Sequence, residues 1–511
     1  MKLALDGGRD WHLAGGKWEE DEQGICVGRG EDGEGLQGYG LAFYRPKAYA
    51  DLEAEFRVQM PTNHADLGFI VRAQDPTHYY LILVPQCGQG YRAQHFWAAL
   101  SVADGSGYLR LLALEHVQRV PSNPLGIVNP ARLRVVGNRF QVWVNGHPAL
   151  DVCDDRYRQG RIGLAGFAQA RHGQVQVEGA EVAAPPWDEN VGQVRNWVAP
   201  FPGQGETQRA ISLVKTAGGH LLCAFTSSTG RHLGRSVDGG QTWSVEPAPA
   251  NMVGGLQVLR HGRLLSLSLG SKAESAWSES MDEGKTWSAP VPIDFEAPAG
   301  LKGFGTGWPL ELRDGTLIRF GLGGHETSSE PITKWGAVHC QAFATRSTDG
   351  GRTWSPPANL DGEAGEMGNL DLTEPVGFET IDGRIMCLIR PIYSPWMWET
   401  WSHDQGRTWG PCVRGPFAGW APSAPVRVQS GAVLFPTRFP GLTLHTTRDE
   451  GMNWDHTYID TSIWAMGSLC EVEPNKILFA YEDSWRGPLR LQFVRVTPQG
   501  LMPARTFPAD L

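Results

Sequence analysis

Apolar and polar residues alternate in short runs along the first part of this chain, the pattern of half-buried strands. The runs fall at 52–58, 67–72, 79–84, 131–136, 141–146 and 161–166. Beyond residue 190 the rhythm changes. A short turn followed by an apolar strand recurs six times, at 218–225, 261–267, 314–320, 382–388, 430–435 and 474–480, and the run 489–496 reads as a closing strand. Residues 184–188, Ala-Pro-Pro-Trp-Asp, read as a linker. The pattern predicts an all-β chain with one domain over 1–185 and a second, repetitive one over 190–511.

A second repeat is interleaved with the first. Ser236-Val-Asp-Gly-Gly-Gln-Thr-Trp243 returns with small changes at 280–287, 347–354, 402–409 and 447–454. Each copy reads as a β-turn in which Asp accepts backbone bonds, Gly takes positive φ and Trp buries between neighbouring sheets. The pattern S-x-D-x-G-x-T-W resembles the Asp box of the sialidase-type β-propellers. The first five turns each precede a box, so the count implies six blades of about four strands, the last without a box. The boxes are scaffold. The segment Val-Val-Gly-Asn-Arg-Phe-Gln-Val-Trp-Val-Asn-Gly (135–146), followed by Gly-Arg-Ile-Gly-Leu (160–164), resembles the concanavalin A-like jelly rolls found beside bacterial glycosidases. The expected fold is thus a six-bladed β-propeller preceded by a jelly-roll β-sandwich, which binds a glycan or only packs against the enzyme.

At 511 residues the chain exceeds what one core organises. Its formal charge of −10 argues against nucleic acid or an anionic membrane as partner, so an anionic substrate needs a local group of arginines. No apolar run reaches the roughly 18 residues of a membrane helix, and the first residues lack a signal peptide's apolar stretch. The eight cysteines are scattered without metal-ligand spacing. The expectation is a cytoplasmic protein without disulfides, cofactor or metal, or a secreted one if an export signal has been removed. Its oligomeric state is open.

In a four-stranded blade the Asp-Gly-type turns and the Asp boxes share one face. The opposite face carries first-strand starts and second-strand ends, which converge on the central channel as a concave site. Arg209, Arg390 and Arg438 fall there, from three blades, and guanidinium suits a planar carboxylate. The sialidase resemblance implies an arginine triad. Gln208-Arg209-Ala-Ile stands at the first position without the family's Ile-Pro, Leu372-Thr-Glu374-Pro-Val with Arg390 resembles the segment holding a glutamate and the second arginine, and Arg438 matches the third. Two departures count against the family's reaction. Met466 stands where the tyrosine nucleophile would be, and a thioether is no such nucleophile. The first-blade loop 226–235 has no carboxylate to serve as acid.

The residues leave other chemistry open. Glu374 paired with Asp371, Glu326, Glu399 or Asp483 would suit a two-carboxylate glycosidase. His325 is a candidate acid or base, and Tyr393 is the best replacement phenol. Trp308, Trp398, Trp420 and Trp464 are candidates to stack on sugar. The leading expectation is a glycoside hydrolase acting on a terminal acidic sugar such as sialic acid. A catalytically silent glycan-binding protein and a lyase or other glycosidase on the same propeller are the alternatives.

Overall fold

The computed structural model describes residues 1–22, 24–28, 40–59, 66–88, 95–117, 128–167, 170–191, 198–202, 207–268, 275–296, 298–326, 338–360, 371–391, 396–420, 422–438, 441–460, 467–482 and 488–504. The chain divides into two compact units, Met1–Arg195 with His456–Ile463, and Asn196–Asp455 with Trp464–Leu511. The segment 456–463 is a departure from the sequence reading, which put it in the repetitive domain. Its strand Asp455–Asp460 pairs with Leu109–Val117, Thr457 opposite Arg110 and Tyr458 opposite Leu109.

The first unit is a large antiparallel β-sandwich. The long strand Gly40–Gln59 pairs with Val128–Val136, Gly160–Phe167 and Arg171–Val182. Strict alternation of exposed and buried positions along Val128–Val136 sends Ala131, Leu133 and Val135 into one core with Phe56, Phe69, Tyr80 and Phe140. Within it lies a buried cation, Arg72, 1% exposed and at φ 56° in the strand Asp66–Asp75. Its guanidinium donates to the carbonyls of Ala50, Tyr157 and Gly137 and stands 5.4 Å from the Phe140 ring centroid.

The second unit is a β-propeller in which five blades stand as separate antiparallel sheets. The first is Thr207–Lys215, Leu221–Ser227, Gly230–Ser236 and Ser244–Pro247, and the second runs from Gly255–Val258 to Val291–Pro292. The third is built around Leu317–Glu326 and Val338–Ser347, and the fourth is Leu372–Glu379, Ile385–Pro391, Trp396–Ser402 and Val413–Ala418. The last joins Gly467–Glu473, Lys476–Glu482 and Leu489–Thr497 to Val198–Pro200, a strand from the unit's own start. Between the fourth and last blades runs a further meander, Val426–Arg427, Val433–Thr437 and Leu442–Thr447.

Each box is a closed hydrogen-bond circuit. In the box at 402–409, Asp404 accepts from the Ser402 hydroxyl at 2.9 Å, the Arg407 and Thr408 N–H groups at 3.1 and 2.9 Å, and the Thr408 hydroxyl at 2.7 Å. Asp404→Ala should therefore cost about 1 kcal/mol, as loss of a comparable side-chain cap does, read as a lower urea midpoint. Such bonds hold the box carboxyls below the usual range. The Thr286 backbone N–H, then its hydroxyl, draws Asp282 down to about 2. Carboxylates so depressed stabilise the fold fully above their unfolded value of about 4, and that support is lost as pH falls through the folded values. A urea midpoint that declines below about pH 4 and keeps declining toward pH 2 is expected. A midpoint flat across that window would contradict it.

Neighbouring blades are clasped on the box face. Carboxylates of one blade accept turn N–H groups of the blade before it: Glu311 from Arg260, Glu379 from Arg313, and Glu471 from Gln429. Glu283 and Glu450, box residues at φ 61° and 63°, do the same for Gly218 and Ile381. Both take left-handed backbone at a position where two other boxes have glycine.

Candidate functional site

The face opposite the boxes carries the ends of the second strands. Thr373 lies opposite Arg390 and Val376 opposite Leu388, so Glu374 and Pro375 face a single residue, Ile389. This is a β-bulge, and Pro375, with no N–H to give, fits an unpaired position. Glu374 sits in the bulge at φ 50°. Left-handed backbone is costly for a side chain with a Cβ and is found where surrounding structure enforces it. Here Arg390 does so: its Nη1 donates to both Glu374 oxygens, at 2.9 and 2.8 Å. The Arg390 Nε is buried and makes no hydrogen bond among the described residues.

Around this pair the structure gathers further polar groups. Asp371, 5% exposed, accepts the Cys340 N–H from the third blade at 2.8 Å. Burial, above all, pushes the Cys340 thiol up to about 12, with Asp371 and Glu374 adding to the rise and Arg390 opposing it. Those four groups thus share one electrostatic neighbourhood. The Trp420 ring lies 6.0 Å from the Arg390 guanidinium, and its carbonyl accepts the N–H of Arg438, itself buried. Trp420 so links Arg390 to Arg438.

Other expected site residues are placed differently. Trp398, expected to stack on sugar, packs instead against the core shared by blades three and four, with Ile318, Phe320 and Ile389. It lies on the third strand of its blade, whose register opposite Ile389 turns it into blade packing. Glu399 lines a groove reaching the box face, away from Glu374. Arg209 lies in a strand whose register also shifts, between Gln208 and Ser212, but its side chain is outside the described residues. The same holds for the side chains of His325 and Glu326, whose strand positions oppose His339 and Val338. Tyr393, Trp464, Met466 and Asp483 lie outside the described residues altogether.

At the end of the last blade's second strand the sequence reading chose Asp483, and the described neighbour is Glu482. Glu482 ends the strand Lys476–Glu482 with its side chain fully buried. Arg390, Arg438 and Glu482 each fall seven residues after the turn residues Gly383, Gly431 and Asn475, so they occupy one register of the repeat. That offset is the signal that would have found it. Among the described residues no group of three or more His, Cys, Asp or Glu is placed to hold a metal ion, and no helix is long and apolar enough to cross a membrane.

The bulge makes a test independent of function. Glu374→Gly and Glu374→Ala both lose the ion pair, but only glycine relieves the left-handed backbone. The Gly variant should be more stable than the Ala variant by about 1 kcal/mol, measured by thermal unfolding. Equal stabilities would mean that the bulge stores no strain.

Comparison with known proteins agrees with this architecture. Residues 261–434 match the family model described as a BNR repeat-like domain, and residues 3–183 match a 3-keto-alpha-glucoside-1,2-lyase-like domain. The chain thus combines a BNR repeat-like β-propeller, over the second unit, with an N-terminal 3-keto-alpha-glucoside-1,2-lyase-like β-sandwich. No curated protein matches the chain. Among solved structures, the chain is similar to a Hadza microbial sialidase at 16% identity, over 88% of this chain and 94% of that one, with a TM-score of 0.43. It is similar to the Penicillium chrysogenum alpha-L-arabinanase complexed with arabinobiose at 15% identity, over 57% and 93%, with a TM-score of 0.41. It is also similar to the carbohydrate binding module CBM66 from Bacillus subtilis at 16% identity, over 33% and 95%, with a TM-score of 0.27.

Proposed function

We propose that the protein is a glycoside hydrolase that removes a terminal acidic sugar from a glycan at the channel of a six-bladed propeller, the meander 426–447 being its fifth blade. The observation that supports this most is the way Arg390 is used. Arg390 meets Glu374 through Nη1, and its buried Nε makes no bond among the described residues. A buried polar group left unsatisfied asks for an explanation, and a planar carboxylate on the remaining guanidinium edge supplies one. Arg438 and Arg209 are assigned to the same substrate carboxylate. Glu374 and Glu482 are the two carboxylates that glycosidic cleavage needs, with Asp371, Tyr393 and His325 as neighbours in the reaction, and Glu326 contacts the sugar hydroxyls. The jelly roll is a glycan-binding domain.

The test is release of monosaccharide from a panel of sialylated and uronate-capped glycans, followed by mass spectrometry. An acidic sugar released by wild type and not by Glu374→Ala supports the reading. Full turnover in Glu374→Ala, or release of neutral sugars only, would sink it. The match over 3–183 favours a second reading, in which the sugar is cleaved by elimination. An unsaturated product absorbing in the near ultraviolet would establish that reading over hydrolysis.

A further inference from the structure

A groove of about 520 Å³ opens between the fourth blade and the box of the meander that follows it, at the opposite strand ends from Glu374. Its wall is built by regular geometry. Glu399 and Trp401 are two apart on the strand Trp396–Ser402 and so point to the same side. His403 belongs to the fourth blade's box, Arg414 to the outermost strand Val413–Ala418, and Met452, 70% exposed, to the next box. Arg384 completes the wall, its guanidinium 4.9 Å from the Trp401 ring centroid and its Nε 2.8 Å from Asp382. Arg414 stands 4.1 Å from the Trp396 ring centroid.

Asp382 holds Arg384, whereas Arg414 is exposed and makes no ion pair among the described residues, so Arg414 is the cation the groove offers an anion, with Arg384 beside it. Glu399 is half-buried, and burial raises its carboxyl against the opposing effect of a hydrogen bond with Trp401. A groove that pairs an aromatic edge and two prolines, Pro411 and Pro416, with fixed guanidiniums and one carboxyl has what a carboxylated pyranose requires. Its apolar parts meet the C–H face of the ring, the arginines take the carboxylate, and Glu399 takes a hydroxyl. The volume suits one or two sugar rings.

We propose that this groove is a second saccharide-binding site, separate from the channel, that holds an acidic sugar residue without cleaving it. Such a site keeps a polyanionic glycan on the molecule while its terminus is processed elsewhere. It requires no catalytic property of the channel.

The test is isothermal titration of the full chain with glucuronic acid as probe, in an Arg390→Ala background so that the groove is read alone. Saturable binding is expected there, with Kd raised at least about tenfold by a further Arg414→Glu, since that change reverses a contact charge. Arg384→Gln is the second variant and should weaken binding in the same direction, while both proteins keep the circular dichroism spectrum of the parent. In the otherwise wild-type chain, Arg414→Glu should leave turnover of a small substrate unchanged. The proposal is overturned by no saturable binding up to about 10 mM, or by an unchanged Kd in both groove variants. Glucose or inorganic sulfate binding as tightly as glucuronate would overturn it as well, the first removing the acidic sugar's specificity and the second reducing the site to an anion trap.

Discussion

Glu374→Gln is expected to lower kcat by about 10²–10⁴-fold with little change in stability. The substitution keeps the volume of the side chain and one oxygen for the Arg390 Nη1, which now lies 2.9 and 2.8 Å from the two carboxylate oxygens. What it removes is the charge, and with it any capacity to act as base or nucleophile. Arg390→Ala should behave differently. It strips the guanidinium edge assigned to the substrate carboxylate, so KM rises as well as kcat falling, and it leaves Glu374 in its strained bulge without the partner that holds it. Steady-state kinetics on the two variants separates the roles. A Gln variant with wild-type kcat would remove Glu374 from the chemistry, whatever its effect on KM.

Arg72→Met should destabilise the first unit by about 3–5 kcal/mol, the range for breaking a buried charged network. Methionine replaces much of the volume but none of the donors, so the carbonyls of Ala50, Tyr157 and Gly137 are left in an apolar core without the N–H groups that now satisfy them. Each such orphan costs on the order of 1–3 kcal/mol. Asp51, 3.7 Å from the guanidinium and half-exposed, turns to solvent and adds little. The strand also keeps a left-handed residue at 72, where methionine is no better suited than arginine. Urea unfolding followed by the near-ultraviolet signal of Tyr79 and Tyr80, both fully buried, checks this. A loss below about 1 kcal/mol would mean that water replaces the guanidinium at those carbonyls.

Much of the architecture could be read in the sequence because its signals are periodic. Alternation fixed the strands of the first unit, and the box fixed turns whose Asp, Ser and Thr circuits depend only on residues within eight positions. Non-local effects were illegible. The strand at 455–460 pairs with Leu109–Val117, more than 300 residues away in sequence, and nothing in its own letters says so. Trp398 was misplaced because stacking and blade packing ask for the same aromatic residue, and only register against Ile389 separates them. The strand-end positions of Glu374 and Arg390 were legible from the repeat. Their direct pairing and the left-handed bulge that permits it were not. Glu482 was missed for a simpler reason. Two carboxylates, Glu482 and Asp483, stand side by side at that strand end, and only the seven-residue offset from the turn separates them.

The strand Val198–Pro200, from the start of the second unit, lies beside Leu489–Thr497 of the last blade, with Val198, Ala199 and Pro200 in register against Gln492, Leu491 and Arg490 and the Phe201 N–H donating to the Leu489 carbonyl at 2.9 Å. In mechanical terms this is the buckle of a belt, and one of its members, Pro200, has no N–H to contribute. Tension applied between the two ends of the second unit bears on that ladder. Its failure is the peeling of one strand, which leaves the boxes and clasps elsewhere intact.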